Sequence, residues 1–298
     1  MSNIVTERFD RLRQERMVPA GRPATAVLGS IREIFAHRQL LDLLIRRDLK
    51  SRYKDSALGF AWTLIRPLVQ LAIYYYVLGE ILQASRNIPE FAIYVFSGLT
   101  LYGLFSEIVA SGTASIVSNG GLIKKVYLPR EIYPLASVGA ALFNFGVQLI
   151  VLLAAAILQS GFAWVRLDLL YFIPATLVVL IWATALALLL AAANVYLRDM
   201  QYLVEVLVLL LMWGSPIVYS WQMVASRAPE WLLALYTSNP ITLAVLGIHR
   251  AFWTAGPDAE YPGHLLLRLV IAALVGLVAL LVCQRVFAKL QGNFAQEI

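Results

Sequence analysis

Six long apolar runs, set apart by short polar stretches, dominate this sequence; they cover residues 60–82, 91–109, 134–158, 169–196, 202–219 and 265–287. A helix rises about 1.5 Å per residue and the hydrocarbon layer of a bilayer is about 30 Å thick, so each run is long enough to be a spanning helix. The pattern predicts an all-α membrane protein with six transmembrane helices. Ahead of them, residues 1–30 are polar and broken by Pro19, Gly21 and Pro23, which predicts a loosely ordered arm. Residues 33–55 then show helical periodicity, with Leu41, Leu44, Ile45 and Leu49 on one face and Arg38, Arg46, Arg47, Lys50 and Lys54 around it. That predicts an amphipathic helix on the inner membrane surface, its apolar side in lipid and its basic side near phosphates. Residues 1–59 thus form a cytoplasmic arm and interface helix, and residues 60–298 a six-helix transmembrane domain.

Two connecting segments break the simple pattern. Residues 115–133 carry three basic groups, Asn119-Gly120-Gly121 as a break and Pro129 as a later one; a short helix near residues 122–128 would project into the cytoplasm as a rigid knob. Residues 220–263 contain two apolar stretches, 231–236 and 241–253, split by Asn239-Pro240. Each is too short to span and too apolar for water, which predicts re-entrant or interfacial helices at the outer leaflet. Trp221, Trp231, Tyr236 and Trp253 bring the amphipathic rings favoured at that depth.

Composition agrees: 60% of the 298 residues are hydrophobic and 14% charged, a balance that lipid rather than water must solvate. The net charge of +6 does not point to nucleic acid, because the positions of the basic residues account for it. Lys and Arg total eighteen in the arm, the loop after the second span, the loop after the fourth and the tail, against five in the alternate loops (Arg86, Arg166, Arg227, Arg250 and Arg268). The positive-inside rule then puts both termini in the cytoplasm. No stretch before residue 60 has the apolar core of a cleavable signal peptide.

Chemistry in the usual sense is missing. The chain has no Gly-x-x-x-x-Gly-Lys-Ser/Thr loop for ATP, its three His residues (His37, His249 and His264) lack metal-ligand spacing, and Cys283 is alone in an apolar helix. Ionisable groups inside spans are costly and therefore informative. Arg66 is placed to snorkel to inner headgroups, Glu107 lies deep in the second span as a candidate gate or inter-subunit contact, and Glu205 sits near the inner end of the fifth. Aromatic rings gather in the first two spans, at Tyr74, Tyr75, Tyr76, Phe91, Tyr94, Phe96, Tyr102 and Phe105. Such rings suit either helix packing or stacking on the C–H faces of sugars, and three consecutive tyrosines cannot all line one path.

Arg47-Asp48-Leu49-Lys50-Ser51-Arg52-Tyr53-Lys54, followed by Ser56, Leu58-Gly59, Trp62 and Pro67, resembles the interface-helix entry of ABC-2 type polysaccharide exporter permeases, the Wzm-like proteins. Leu122-Ile123-Lys124-Lys125-Val126-Tyr127-Leu128-Pro129-Arg130-Glu131 is similar to their coupling-helix signature. Arg198-Asp199, Ser215-Pro216-Ile217-Val218-Tyr219 and Asn239-Pro240 with Arg250 downstream also match.

The resemblance implies a homodimeric, non-enzymatic permease of the bacterial inner membrane that works with two copies of a separate ATPase subunit. That subunit binds the ATP and Mg, and this chain needs no cofactor of its own. The implied substrate is an undecaprenyl-linked glycan of O-antigen, capsule, galactan or teichoic acid type. The family pattern carries motor contact onto Leu122, Ile123, Lys124, Lys125, Arg130, Glu131, Arg198 and Asp199, and onto interface-helix residues Arg46, Arg47, Lys50, Arg52 and Lys54. It runs the substrate path between protomers, past Tyr74, Tyr75, Tyr94, Tyr102, Phe105, Glu107 and Trp213. Asn239, Pro240 and Arg250 belong to the outer exit. Alternatives are an ABC-2 permease for a drug or simple lipid and, more distantly, a proton-coupled carrier, whose inverted repeats and broken mid-membrane helices are not evident.

Overall fold

The computed structural model describes residues 36–53, 58–81, 88–124, 128–161, 166–255 and 261–298, and every regular element among them is helical. In chain order these are α1 (Arg38–Tyr53), a 3-10 turn (Gly59–Ala61), α2 (Trp62–Ile73), a π-helical segment (Tyr74–Ile81), α3 (Phe91–Ser118), α4 (Gly120–Ile123) and α5 (Ile132–Ser160). They continue as a 3-10 turn (Leu167–Tyr171), α6 (Phe172–Tyr196), α7 (Met200–Trp213), α8 (Trp221–Ala225), α9 (Glu230–Ser238), α10 (Pro240–Phe252), α11 (Leu265–Leu290), a 3-10 turn (Gln291–Asn293) and α12 (Phe294–Glu297). The expected arm over residues 1–30 lies outside the described residues.

Four of the expected spans are helices of 28–30 residues, built on α3, α5, α6 and α11. The other two differ from expectation. The first is α2 running into the wider π-helical segment, which starts at the three tyrosines. The fifth, expected to stay helical to residue 219, ends at Trp213 after 14 residues, about 21 Å of rise. Pro216 explains the stop: it has no N–H to give, and it disfavours helical geometry at Ser215. The chain instead turns through Ser215, Pro216 and Ile217, all buried.

A helix stopped inside lipid exposes carbonyls that water cannot reach, so protein groups must satisfy them. Here the hydroxyl of Tyr94 on α3 lies 2.9 Å from Pro216 O and 2.8 Å from Tyr219 O, and Thr242 Oγ1 lies 3.4 Å from Gly214 O. The irregular turn is thereby hydrogen-bonded to the fold.

Helix α3 is the hub. Over its most apolar stretch 78% of residues are buried, against 17% in α11, so α3 is the interior helix and α11 lies at the periphery of the bundle. Its most extensive contacts are with α6 and α5, with α10 and α7 beside them. Small residues let the backbones approach, as is usual where lipid supplies no hydrophobic drive between helices. At Gly112 a Cβ would stand 2.6 Å from the Cβ of Ala187 on α6, closer than real atoms allow. Asn194 Nδ2 adds a bond from α6 to Thr113 O at 3.1 Å. Replacing Gly112 with Val is expected to lower stability by about 1–3 kcal/mol through overpacking, whereas Gly146→Ala, with no atom within 4 Å of its Cβ position, is expected to be near neutral. Thermal unfolding of the two purified variants in one detergent checks this.

Candidate functional site

At the basic end of the bundle, α1 seats against α5. Leu44 is buried there, and Leu40, Leu41 and Ile45 pack beside it on a cluster that includes Ile116, Ile132, Phe287 and Phe294. The contact depends on Gly139, where a Cβ would lie 2.3 Å from Ile45 Cδ1. The apolar stripe expected to dip into lipid is therefore held by protein, and Leu43 on the other side stays exposed. Of the basic residues on α1, Arg46 pairs with Asp42 at 2.8 Å on the exposed surface. Arg47 donates to Asp48 Oδ1 and to Asn119 Oδ1, both at 2.8 Å, and so ties α1 to the start of the connecting segment. Lys50 is exposed. The side chains of Arg52 and Lys54 lie outside the described residues.

The short helix of the connecting segment is Gly120–Ile123, not residues 122–128. Asn119 makes the break: it ends α3 and begins α4, accepting from Leu122 N at 2.9 Å and Ile123 N at 3.1 Å through its carbonyl. Of the expected Asn119-Gly120-Gly121 break, Asn119 is where the helix ends, and the two glycines form the first turn of α4. Ile123 is buried and Leu122 half-buried on the same cluster as α1, which leaves Lys124 exposed at the tip. Lys125 lies outside the described residues. Two other expected contact residues are occupied inside the chain. The guanidinium of Arg130 sits 5.7 Å from the ring centroid of Phe294, and Glu131 is buried with Gln291 Nε2 at 3.4 Å. Arg198 and Asp199 are exposed on the turn between α6 and α7.

The aromatic residues divide into two sets. Tyr94, Tyr102 and Phe105 are only 2%, 4% and 1% exposed, so these three rings, expected along a path, are core residues instead. The reason is visible in their partners: Tyr94 holds the Pro216 turn, the Tyr102 hydroxyl donates to Val208 O of α7, and Phe105 packs on Tyr102. Tyr75 at 44% and Trp213 at 59% are open, with Tyr76 set edge-on to Tyr75 at 5.0 Å. Tyr74 is half-buried and accepts from Gln70 Nε2 at 2.8 Å. Tyr75 and Tyr76 stand on a groove of about 480 Å3 that Leu158 and Gln159 of α5 complete. Glu107 is partly buried and accepts from Asn144 Nδ2 of α5 at 2.7 Å, so its carboxyl is anchored rather than isolated.

At the opposite end, α9 and α10 meet at 81°. Asn239 caps α10 by accepting from Ile241 N at 3.0 Å, and Pro240 takes the first helical position, where no N–H is needed. These two residues shape the hairpin through local backbone chemistry. Arg250 is clamped: its Nε lies 3.1 Å from Asp168 Oδ1, and its guanidinium lies 4.9 Å and 5.2 Å from the Tyr171 and Tyr261 ring centroids. Of the four rings expected at the interface only Trp231 is widely exposed; Trp253 is buried and donates to Pro89 O at 2.7 Å, stitching the hairpin to the start of α3. Among the described residues no group of His, Cys, Asp and Glu could hold a metal ion.

The profile of the ABC-2 type transporter family matches residues 39–253. The O-antigen export system permease protein RfbA of Myxococcus xanthus is 30% identical over 270 residues, 90% of this chain and 98% of the relative. The chain belongs to the ABC-2 type transporter family. A Klebsiella pneumoniae RfbA is 26% identical over 264 residues, 86% of this chain and 95% of that protein. The polysialic acid transport protein KpsM of Escherichia coli matches a shorter stretch, 26% identical over 82 residues, covering 28% of this chain and 32% of KpsM.

As an ABC-2 permease, the chain is a multi-pass membrane transporter subunit, not an enzyme, and it works with an ATPase partner. Two features of this ABC-2 fold escaped the sequence reading. Residues 291–298 fold back onto the basic end, Phe294 fully buried and Ile298 against Gly120; the buried Phe287 and Phe294, seven apart near the end of a helical run, were the available signal. Asp168 as the partner of Arg250 left no signal, since the two are 82 positions apart.

The division of the rings sets an expectation for substitution. Tyr94→Phe leaves Pro216 O without its donor and should cost about 1–3 kcal/mol, while Tyr75→Ala and Trp213→Ala, on exposed positions, should stay within about 0.5 kcal/mol. Denaturant titration of the purified permease in detergent measures both.

Proposed function

We propose that this chain is the transmembrane subunit of an ATP-driven exporter of a lipid-linked polysaccharide. The near-complete correspondence with an O-antigen export permease, 98% of whose length is matched, carries this reading. In it, two copies form the conduit and two copies of a separate ATPase subunit, which hold ATP and Mg, dock on the basic end. The bilayer is the bacterial inner membrane. Both termini face the cytoplasm, a reading supported by eighteen Lys and Arg on that side against five on the other.

The substrate is an undecaprenyl-linked glycan. Exposed rings at Tyr75 and Trp213 offer flat, sequence-tolerant contact to successive sugars, holding each weakly so that a chain can slide. Helix α7 has only Val204 buried and most of its other residues open, which suits it to an interface with a second copy. Motor closure pushes on α1, α4 and the 198–199 turn. Arg47 and Asn119 pass the push to the end of α3, and α3, 28 residues and about 42 Å long, carries it to the hairpin through Tyr94 and Trp253.

The test is co-purification. The tagged permease, coexpressed with the ATPase subunits encoded beside it, is expected to yield a two-plus-two complex with vanadate-sensitive ATP hydrolysis. Lys124→Glu is expected to release the motor or to cut export while leaving the permease inserted. A permease that purifies alone beside its neighbouring ATPase, or unchanged export by the Lys124 variant, would overturn the reading of the coupling surface. Loss of surface glycan in a deletion strain, restored by the native chain, identifies the cargo; a glycan layer unaltered by deletion removes the polysaccharide assignment.

A further inference from the structure

A second groove, of about 500 Å3, opens between the α9–α10 hairpin and α11, away from Tyr75 and from the coupling surface. Its walls are apolar: Leu267, Ile271 and Val275, four residues apart on one stripe of α11, face Leu243 of α10. Its mouth is polar and cationic, with Ser238, His264 and Arg268, and none of the residues lining it is acidic. From Leu265 near the mouth to Val275 at the base the helix advances about 15 Å, the thickness of one leaflet of a bilayer whose hydrocarbon layer is about 30 Å. The groove therefore has the length of one lipid.

The charge at the mouth runs against what helix stability favours. Arg268 sits in the first turn of α11, where the helix dipole is positive and a carboxylate is the stabilising choice; that turn contains no acidic residue, and no side chain caps it. An uncapped first turn beside a cation is a place where an anion is welcome. Arg268 is held in position by one bond, Nε to Gly263 O at 3.0 Å, and forms no ion pair among the described residues. Cationic mouth, apolar walls and one-leaflet depth converge on one ligand class.

We propose that this groove is a seat for an anionic phospholipid of the leaflet on the hairpin side, its phosphate at Arg268 and the first turn of α11, and an acyl chain along Leu267, Ile271 and Val275. A lipid so held fills the wedge between the corner at Asn239-Pro240 and the last span, and so couples hairpin position to membrane composition. The occupant is a bilayer lipid and not the cargo, because the groove lies on the α11 side, whose helix is the least buried of the long spans and stands away from Tyr75 and Trp213.

Trp182 lines the same groove, its Nε1 donating to Ala272 O at 3.0 Å, and serves as the reporter. The permease alone is reconstituted in phosphatidylcholine nanodiscs containing dibrominated phosphatidylglycerol or, at equal mole fraction, dibrominated phosphatidylcholine. The Trp182 share of the quenching is the difference between the native chain and Trp182→Phe. It is expected to be about fivefold stronger with the anionic lipid, the factor one cation near a membrane surface contributes, to fall to parity in Arg268→Gln, and to survive in Arg268→Lys. Equal quenching by the two lipids, or an anionic preference that persists in Arg268→Gln, overturns the proposal. If Trp182→Phe does not reconstitute, phosphatidylglycerol retained through detergent washing is compared between the native chain and Arg268→Gln; equal retention is the overturning result. No ATPase or glycan enters the assay, so its failure leaves the export reading untouched.

Discussion

Hydrocarbon gives a backbone no hydrogen bonds, and the way this chain meets that constraint organises the rest of the fold. Long helices meet it internally. The chain departs from helix at Pro216 and again at the hairpin corner, and in each place a named side chain repairs the departure: Tyr94 at the Pro216 turn and Asn239 at the start of α10. Because Tyr94 belongs to the central helix, the repair also fixes where α7 and the hairpin stand relative to α3. A local shortage of donors thus becomes a long-range restraint.

The same restraint makes α3 a mechanical element. One end is tied to α1 through Arg47 and Asn119, the other to the hairpin through Trp253 and Pro89, and the middle is gripped by α6 where Gly112 meets Ala187. A close-packed interior has few intermediate arrangements available, so displacement at one end of such a helix is passed on rather than absorbed. Glu107, anchored by Asn144, puts a costly polar pair on the α3–α5 seam, where it fixes register between the two helices.

Sequence made the four long spans, the break at Asn239-Pro240 and the distribution of basic residues legible, because each is a property of composition or of adjacent residues. Orientation was less accessible. Tyr94, Tyr102 and Phe105 read as candidates for a path because an apolar span carries no sign of which neighbours surround it; α3 is apolar nearly all round, and such a helix belongs in the interior. The apolar stripe of α1 was correctly recognised as a stripe, yet its destination depended on Gly139, more than 90 positions away. Asn119-Gly120-Gly121 read as one break because glycine weakens helices; α3 does end at Asn119, but the two glycines already belong to α4, with Gly120 packed under Ile298.

The charged residues of the basic end sort by the same logic of partners. Arg47, Arg130 and Glu131 have contacts within the chain, and removing any of them would disturb the platform before it disturbed a docking protein. Arg46, Lys50, Lys124, Arg198 and Asp199 remain on the exposed surface, where a single ion pair adds little but a reversed charge, as in Lys124→Glu, would set like charges against a complementary partner. If the ATPase docks here as proposed, recognition rests on the shape of the platform, set by Ile123, Leu44 and Phe294 beneath it, while the outward charges steer and orient the encounter. A motor that pushes must push on something stiff, and the buried cluster under α1 and α4 supplies that stiffness.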